Sequence, residues 1–457
     1  MTTLIPKFDL MNGGTTPTGA INRAINSKLN DVISVKDFGA TGDGTTNDTT
    51  AIQAAINYGQ TVVGSNSLTR AATIYFPPGI YVTSASLTVS YPLNLVGDGS
   101  VSSIIQPTSA LVAPALVWGV NGTTPRPGYG VVIEKLGFNG ANTTNAAAHG
   151  IKMYCSHTEV KDCAIYNFAG HGIYAIDAYS NIVHHNWFNA NKLDGIHLDN
   201  ACNIFVISDN YILSSLNNGI QIQGGNKIIV EGNDIEGNQY NGVYVFPGGV
   251  NPIRSCQISN NYFESNNLAG SRYHINISRN GSEISNINVT YNYFENDGAT
   301  FCVYVNGCNS GTVINNQTTN GYLYYPYAEG ENVYSFNNNP ATTQYISNLV
   351  YSPNVYENAT EGYVINGRLS RLAVNSQENF TINTLWSVQG RYSASAFPTF
   401  TIGTTTQSYG SAAPSTGANV VGNIVWNTAP AASGNIGWVC TTAGTPGTWK
   451  TFGAISA

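Results

Sequence analysis

The 457-residue chain carries 18 Lys and Arg against 25 Asp and Glu, so charged residues make up 9% of it and the net charge is −7. With 11% aromatics and so little charge it is not intrinsically disordered, and its few basic residues exclude a nucleic-acid partner, whose phosphates call for Lys and Arg. The apolar residues suffice for a large core, and the polar remainder, rich in Asn, Thr, Ser and Gly, suits β-structure with many tight turns.

Met1 to Gly14 has no basic stretch followed by an apolar run, so no signal peptide is expected. The first predicted element is a short helix, which Asn47 and Asp48 can cap and whose apolar stripe is Ala51, Ile52, Ala55 and Ile56. Gly42-Asp43-Gly44 and Gly97-Asp98-Gly99 read as turns, not phosphate loops. The longest apolar run, Ala110 to Val120, is broken by Pro114 and is too short to cross a bilayer, so membrane insertion is not expected.

Beyond this point the chain repeats itself. A Gly followed by a β-branched residue recurs at Gly150-Ile151, Gly172-Ile173, Gly195-Ile196, Gly219-Ile220 and Gly242-Val243, in steps of 22, 23, 24 and 23 residues. A second marker keeps the same frame: Asn186-Trp187-Phe188, Asn210-Tyr211-Ile212, Asn233-Asp234-Ile235, Asn261-Tyr262-Phe263 and Asn292-Tyr293-Phe294. Two earlier, degenerate copies end at Phe138 and Ile165. Apolar residues alternate with polar ones over short runs such as Ile204 to Ile212, which is strand periodicity. Asn and Gly at the breaks are expected to supply the left-handed conformations of sharp turns. A unit of about 23 residues cannot bury its own apolar face, whereas stacked units can. The Leu-x-x-Leu-x-Leu frame of a leucine-rich repeat is missing, so the prediction is a parallel β-helix from roughly residue 60 to 340. The early helix would cover its open end, where strand edges lack partners.

After about residue 365 the repeat is gone, and Trp386, Trp426, Trp438 and Trp449 are spread through a Thr-, Ser-, Gly- and Ala-rich stretch. This reads as a separate β-rich region, with Ser408 to Ala418 as a linker. The seven cysteines are odd in number and lack CxxC spacing, which predicts buried, reduced thiols and folding in a reducing cytosol.

The run Val32-Ile33-Ser34-Val35-Lys36-Asp37-Phe38-Gly39-Ala40, then Gly42-Asp43-Gly44, Asn47-Asp48, Ala51-Ile52 and Ile74-Tyr75-Phe76-Pro77-Pro78-Gly79-Ile80-Tyr81, resembles the opening of pectate-lyase-like β-helix proteins, above all bacteriophage tailspikes. Pro17 to Arg23, ahead of Lys28-Leu29, is similar to the segment that often precedes that opening in virion proteins, and Gly437 to Lys450 is similar to C-terminal segments of phage tail proteins. The resemblance implies a right-handed, all-β parallel β-helix assembled as a homotrimer in the host cytoplasm. It also implies attachment to a phage tail or baseplate protein through the N-terminus and action on a polysaccharide at the bacterial surface. On this reading residues 1–31 are a virion-attachment segment and 32–110 the cap and first coils. Residues 111–360 form the β-helix body, and 361–457 a β-rich region for trimerisation or carbohydrate binding. The family contains hydrolases, lyases and esterases, and its carboxylates differ in position from member to member.

Stacked coils put equivalent residues about 4.8 Å apart, so columns follow from the repeat frame. If the Phe or Ile of each Asn-x-Phe marker points inward, the residue before it points outward. That column reads Trp187, Tyr211, Asp234, Tyr262 and Tyr293, a track of rings on which sugar C–H faces can lie. The next outward column reads Asn189, Leu213, Glu236, Glu264 and Glu295. A structural repeat in which each Glu accepts from turn N–H groups is one explanation, and a trimer interface is one for the exposed Tyr. Yet stacked carboxylates repel, which raises a pKa as a general acid requires. Neighbouring coils approach the roughly 5–5.5 Å carboxyl separation of retaining glycosidases. Glu236 and Glu264 are therefore the expected catalytic pair, with Asp234 and Glu295 as the nearest alternatives. A further outward column, Lys152, Tyr174, His197, Gln221 and Tyr244, lies near Asp177, Asp194 and Asp199. It offers Tyr244 and His197 as substrate contacts, and His197 or Lys152 as the base of a lyase acting on a uronate-containing glycan. Ordinary polar residues on a solvent face are the plainer explanation. His149 and His171 precede successive glycines and suggest a turn ladder, while His184 and His185 are expected on opposite faces of a strand. No cofactor, metal or dinucleotide motif occurs, so neither cofactor nor metal is expected. The alternatives to a hydrolase are a polysaccharide lyase and a spike that binds its receptor without cutting it. A secreted pectinase is disfavoured by the missing signal peptide.

Overall fold

Successive repeats lie on one another because each ends in a strand that pairs with its equivalent one repeat earlier. Thr158–Lys161, Ala164–Tyr166 and Ile173–Ile176 form one coil, and the next strand, Ile182–His184, returns to pair in parallel with the first, Glu159 opposite Ile182. The computed structural model describes residues 31–64, 71–119, 130–249, 251–266, 273–295, 301–319 and 405–457 throughout, and a few further strands by backbone alone. It holds two compact units, Met1–Ser376 and Gln377–Ala457.

Three parallel sheets make up the solenoid. The first has 12 strands, from Ile33–Ser34 to Asn332–Phe336, and the second has 12, from Asp43–Asn47 to Asn339–Pro340. The third has 10, from Leu87–Val89 to Tyr322–Tyr327. The expected start near residue 60 was too late, since Ile33–Ser34 and Asp43–Asn47 already pair within the first and second sheets.

The Gly markers stand in register, Ile151 opposite Ile173, then Ile196, Ile220 and Val243. Their glycines serve close approach and not left-handed backbone. A Cβ on Gly172 would meet the Gly195 carbonyl oxygen at 2.5 Å, and one on Gly219 would meet that of Gly242 at 2.7 Å. Many left-handed positions fall instead on non-glycine turn residues, among them Asp162, His185, Asp209 and Asn260.

Inside the second sheet Phe138, Ile165, Phe188, Ile212, Ile235, Phe263 and Phe294 are fully buried, and the Phe263 and Phe294 rings stack at 5.1 Å. Truncating one of these rings to Ala costs about 3–5 kcal/mol. Beside them runs a stack of Asn186, Asn210, Asn233, Asn261, Asn292 and Asn316. From Asn210 onward, the side-chain oxygen of each accepts both the backbone N–H and the Nδ2 of its predecessor, at 2.9–3.0 Å. Each Nδ2 also donates to a first-sheet carbonyl, as Asn233 does to Ile207. These amides satisfy the backbone of a turn that would otherwise bury unpaired groups.

The N-terminal helix, Thr49–Val63, buries Ile52, Ala55, Ile56, Gly59 and Val63 in the solenoid core. Gly59 allows close approach, because a Cβ there would lie 2.7 Å from Ile74 Cδ1. Asn47 accepts the Thr49 N–H as expected of a cap. Asp48 does not cap with its side chain, which accepts instead from Thr41 and Gly42 and ties down the preceding loop. No described helix is long and apolar enough to cross a membrane.

The second unit contains a five-stranded sheet formed by Phe400–Ile402, Thr405–Gly410, Ile424–Asn427, Asn435–Thr442 and Thr448–Ala454. Ser408 to Gly410 belong to one of its strands, so the expected linker is part of the sheet and its following turn. Trp426 donates to Gln407 and Trp449 to the Pro446 carbonyl, while Trp386 lies outside the described residues. All seven cysteines are buried, and none forms a disulfide.

Candidate active site

Alternation along the short second-sheet strands decides which side chains leave the core. Trp187–Asn189, Tyr211–Leu213, Asp234–Glu236, Tyr262–Glu264 and Tyr293–Glu295 each bury their middle residue and turn the outer two away from the core. Register brings Trp187, Tyr211, Asp234, Tyr262 and Tyr293 into one column. It brings Leu213, Glu236, Glu264 and Glu295 into the next. Both expected columns are therefore present. Trp187, Tyr211 and Tyr293 are exposed, and the Tyr262 and Tyr293 rings stack at 5.7 Å, nearly parallel at 11°.

The three glutamates are not equivalent. Glu295 is held at both oxygens, by Thr319 at 3.0 Å and by Tyr293 at 3.1 Å. Glu264 accepts a 2.7 Å bond from the Tyr262 hydroxyl, which holds that phenol protonated well above its usual range. Glu236 faces the Asp234 carboxyl on its own strand. Burial, the bond shared with Asp234 and the charges of Asp234 and Glu264 push it up to about 7. Burial first, and then the Glu264 charge, raise Asp234 as well. Asp234 Oδ1 is buried and has no donor among the described residues. Two carboxylates facing each other repel when both are charged, which favours a proton on Glu236. Among the described residues the glutamates take their hydrogen bonds from side-chain hydroxyls, Tyr262 on Glu264 and Tyr293 and Thr319 on Glu295.

The third sheet carries the other expected column, Lys152, Tyr174, His197, Gln221 and Tyr244, in register. His197 and Tyr244 thus belong to a face separate from the carboxylates. Lys152 Nζ lies 5.1 Å from the centroids of both the Tyr154 and Tyr174 rings. His197 and Asp199 leave the same strand, yet they do not pair. His197 Nδ1 bonds Asp194 Oδ2 at 2.7 Å, while Asp199 accepts from the Tyr174 hydroxyl at 2.8 Å.

Asp194 is fully buried, and its other oxygen accepts from Asn217 and from the backbone and side chain of Asn218. His171 and His197 hold its carboxyl ionised against the cost of burial. His171, Asp194 and His197 offer three ligand atoms within 4.8 Å of one another, the arrangement among the described residues that could hold a metal ion. The hydrogen bonds already satisfy the carboxylate without one.

The suspected turn ladder is real and longer than the histidines suggested. His149 Nδ1 accepts the His171 N–H, His171 Nδ1 the Asp194 N–H, Asp194 the Asn218 N–H and Asn218 the Asn241 N–H. Asp194 was missed because three chemically different side chains serve one position. The frame that places them all before the marker glycine could have found it. Burial drives His149 down to about 3, so it stays neutral. His184 and His185 do not point to opposite faces. His185 has φ 54°, which turns the chain and brings their Nδ1 atoms to 2.5 Å, while His184 Nε2 binds Glu159 at 2.7 Å.

Three stacked parallel sheets with outward polar columns define a parallel β-helix with a solvent-facing site. Residues 32–244 match the family described as rhamnogalacturonase A/epimerase, pectate lyase-like, and residues 194–341 match the right handed beta helix region. Together the two matched segments span residues 32–341, the stretch that the three stacked parallel sheets occupy. Among curated proteins, a probable glucan endo-1,3-beta-glucosidase of Arthroderma benhamiae is 39% identical over 85 residues, 18% of this chain and 10% of that protein. The tail spike protein of an Escherichia phage is 49% identical over 49 residues, 11% of this chain and 6% of that protein. A capsule-specific depolymerase of a Klebsiella phage is 25% identical over 154 residues, 32% of this chain and 19% of that protein. The chain thus matches under a fifth of the length of each of these relatives. Among solved structures, ORF18 of Geobacillus virus E2 superposes with a TM-score of 0.54 at 19% identity, covering 76% of this chain and 67% of that one, a likeness of fold.

Proposed function

We propose that the chain is the β-helical body of a phage spike that binds a bacterial surface polysaccharide, capsule or O-antigen, and hydrolyses it internally. The observation that carries this reading is the stack of Glu236 and Glu264 beside Asp234, in which Glu236 is pushed up to about 7 next to an ionisable partner on the adjoining coil. Paired carboxylates whose environments separate their protonation states are what glycosidic cleavage needs. Glu236 donates a proton to the departing sugar oxygen. Glu264, oriented by Tyr262, attacks the anomeric carbon or activates water, and Asp234 keeps the acid protonated. The rings of Trp187, Tyr211, Tyr262 and Tyr293 provide the surface along which the glycan lies. The names of the relatives, a tail spike protein, a capsule depolymerase and an endo-glucosidase, support a polysaccharide as substrate. A homotrimer attached to the tail through its N-terminus is part of the same proposal.

One observation favours a second reading. The Asp194–His197 pair fixes an imidazole with its Nε2 unassigned, beside Tyr174 and Lys152, an arrangement suited to proton abstraction from a uronate by a lyase. Purified protein incubated with a panel of capsular and O-antigen polysaccharides separates the readings by variant. Loss of cleavage in Glu236→Gln and Glu264→Gln, with His197→Gln still active, supports the hydrolase. The reverse pattern refutes it in favour of the lyase. Binding without cleavage by the unmodified chain leaves a non-enzymatic spike.

A further inference from the structure

Where the first sheet passes into the second, coil after coil turns through a residue with left-handed backbone. Asp162, His185 and Asp209 hold this position on three successive coils, with φ of 52°, 54° and 54°. The strands on either side of them are in register, Lys161 opposite His184 and His184 opposite Ser208 before the turn, and Ala164 opposite Trp187 after it. A sharp turn with this conformation does not require glycine, and here it presents three polar side chains one above another.

An open groove of about 410 Å³ lies against them, lined by Asp162, His185, Asp209 and Ser100 together with Trp187 and Tyr211. Trp187 is 38% exposed and Tyr211 57%, and Trp187 rests on Tyr166 at 5.5 Å, which holds its ring in place. The Asp162 and Asp209 carboxylates make no hydrogen bond or ion pair among the described residues. The ammonium of neighbouring Lys161 is engaged by Glu159 at 3.0 Å and Glu134 at 3.7 Å. Lys135, which holds the same turn position one coil before Asp162, likewise forms no ion pair with it.

We infer that this groove is a further saccharide subsite that selects a neutral sugar residue. The inference rests on the reading of the chain as a polysaccharide-cleaving spike. A sugar C–H face lies on Trp187, and ring hydroxyls donate to Asp162 and Asp209, which as carboxylates only accept. A uronate here would face two carboxylates with no cation paired to them. Tyr211 and Trp187 stand one and two coils before Asp234, about 5 and 10 Å along the solenoid axis. A glycan running parallel to the axis therefore fills the groove while its scissile bond lies at Glu236 and Glu264. The residues of the groove touch substrate away from the reacting bond, so they govern affinity and the length of product rather than the chemical step.

The test uses the full chain and purified capsular and O-antigen polysaccharides of Escherichia and Klebsiella strains, taking the polymer that the unmodified protein cleaves. The double variant Asp162→Asn, Asp209→Asn is expected to raise KM about tenfold, leave kcat within about twofold and change the lengths of the products, and Trp187→Ala is expected to raise KM and change the product lengths as well. Trp187→Phe, which keeps a platform, is expected to restore most of the affinity and so separates loss of contact from loss of fold. Unchanged KM and product lengths in both of the first two variants, with cleavage by the unmodified chain intact, would overturn the subsite alone. So would tighter binding of a polymer made wholly of uronates than of one with neutral residues. If the unmodified chain neither binds nor cleaves any polymer of the panel, the functional reading fails and the subsite with it.

Discussion

Two stacks of like residues run side by side through the second-sheet region, separated by one to three positions in sequence. Inside, Asn186 to Asn316 repeat an amide, and each amide finds both an acceptor and a donor on its neighbours at 2.8–3.2 Å. Outside, Glu236, Glu264 and Glu295 repeat a carboxylate, which accepts and cannot donate. Repeating an amide closes a chain of hydrogen bonds, whereas repeating a carboxylate stacks like charges. The outer stack is relieved in three different ways: Thr319 and Tyr293 bind Glu295, Tyr262 binds Glu264, and burial with the Asp234 carboxyl pushes Glu236 up to about 7, which favours its neutral form. Only the last leaves a buried oxygen, Asp234 Oδ1, without a donor among the described residues. The inner stack ties successive coils together, and on the proposed function the outer one supplies the acid.

Breaking each stack should have different consequences. Glu264→Gln is expected to cut the rate of polysaccharide cleavage about a thousandfold or more while binding persists, measured as reducing ends released against affinity for the same polymer. Asn233→Ala should do the reverse. It leaves the Asn210 N–H and one of the two Nδ2 hydrogens without an acceptor in a buried site and should cost about 3 kcal/mol in denaturant unfolding, with activity per folded molecule within a few-fold of the unmodified protein.

The His149 ladder provides a milder break. Its imidazole sits at about 3 in the fold against about 6.5 when unfolded, so its contribution is present above about pH 6.5 and is lost as pH falls toward 3. His149→Asn keeps an acceptor for the His171 N–H, as Asn218 does on a later coil, and should remove about 2 kcal/mol of destabilisation at pH 5. Melting curves at pH 5 and pH 8 measure it.

The smallest effect on stability is expected from Glu236→Gln. Its folded value near 7 exceeds the ordinary 4.5, so the stability it contributes is fully present below about pH 4.5 and lost as pH rises through 7. The amide should therefore raise the melting temperature at pH 8 and leave it nearly unchanged at pH 4. If Glu236 is the acid, cleavage is expected to fall as pH rises past about 7, which a pH–rate profile measures.

The columns were legible because two periods coincide in the sequence: the strand alternation that buries Phe263 and exposes Tyr262 and Glu264, and the 22–24-residue spacing of the Gly markers. Given both, Glu236 and Glu264 had to fall on adjoining coils. Turn conformation left no such trace. Non-glycine residues take left-handed backbone at Asp162, His185 and Asp209, so nothing in their identity showed that His185 would swing onto His184 or that a groove would open there. The partner of His197 was hidden for another reason. Asp194 lies at i−3, in the turn before the strand, and it was the ladder position before the marker glycine, not strand alternation, that directed its carboxylate to His197.

The most direct test of the account is mass spectrometry of the oligosaccharides released from a bacterial surface polysaccharide by the unmodified chain and by Glu264→Gln. The account predicts saturated repeat units, each carrying one added water, from the unmodified chain and almost none from the variant. Products lighter by one water, or undiminished release by the variant, would contradict it.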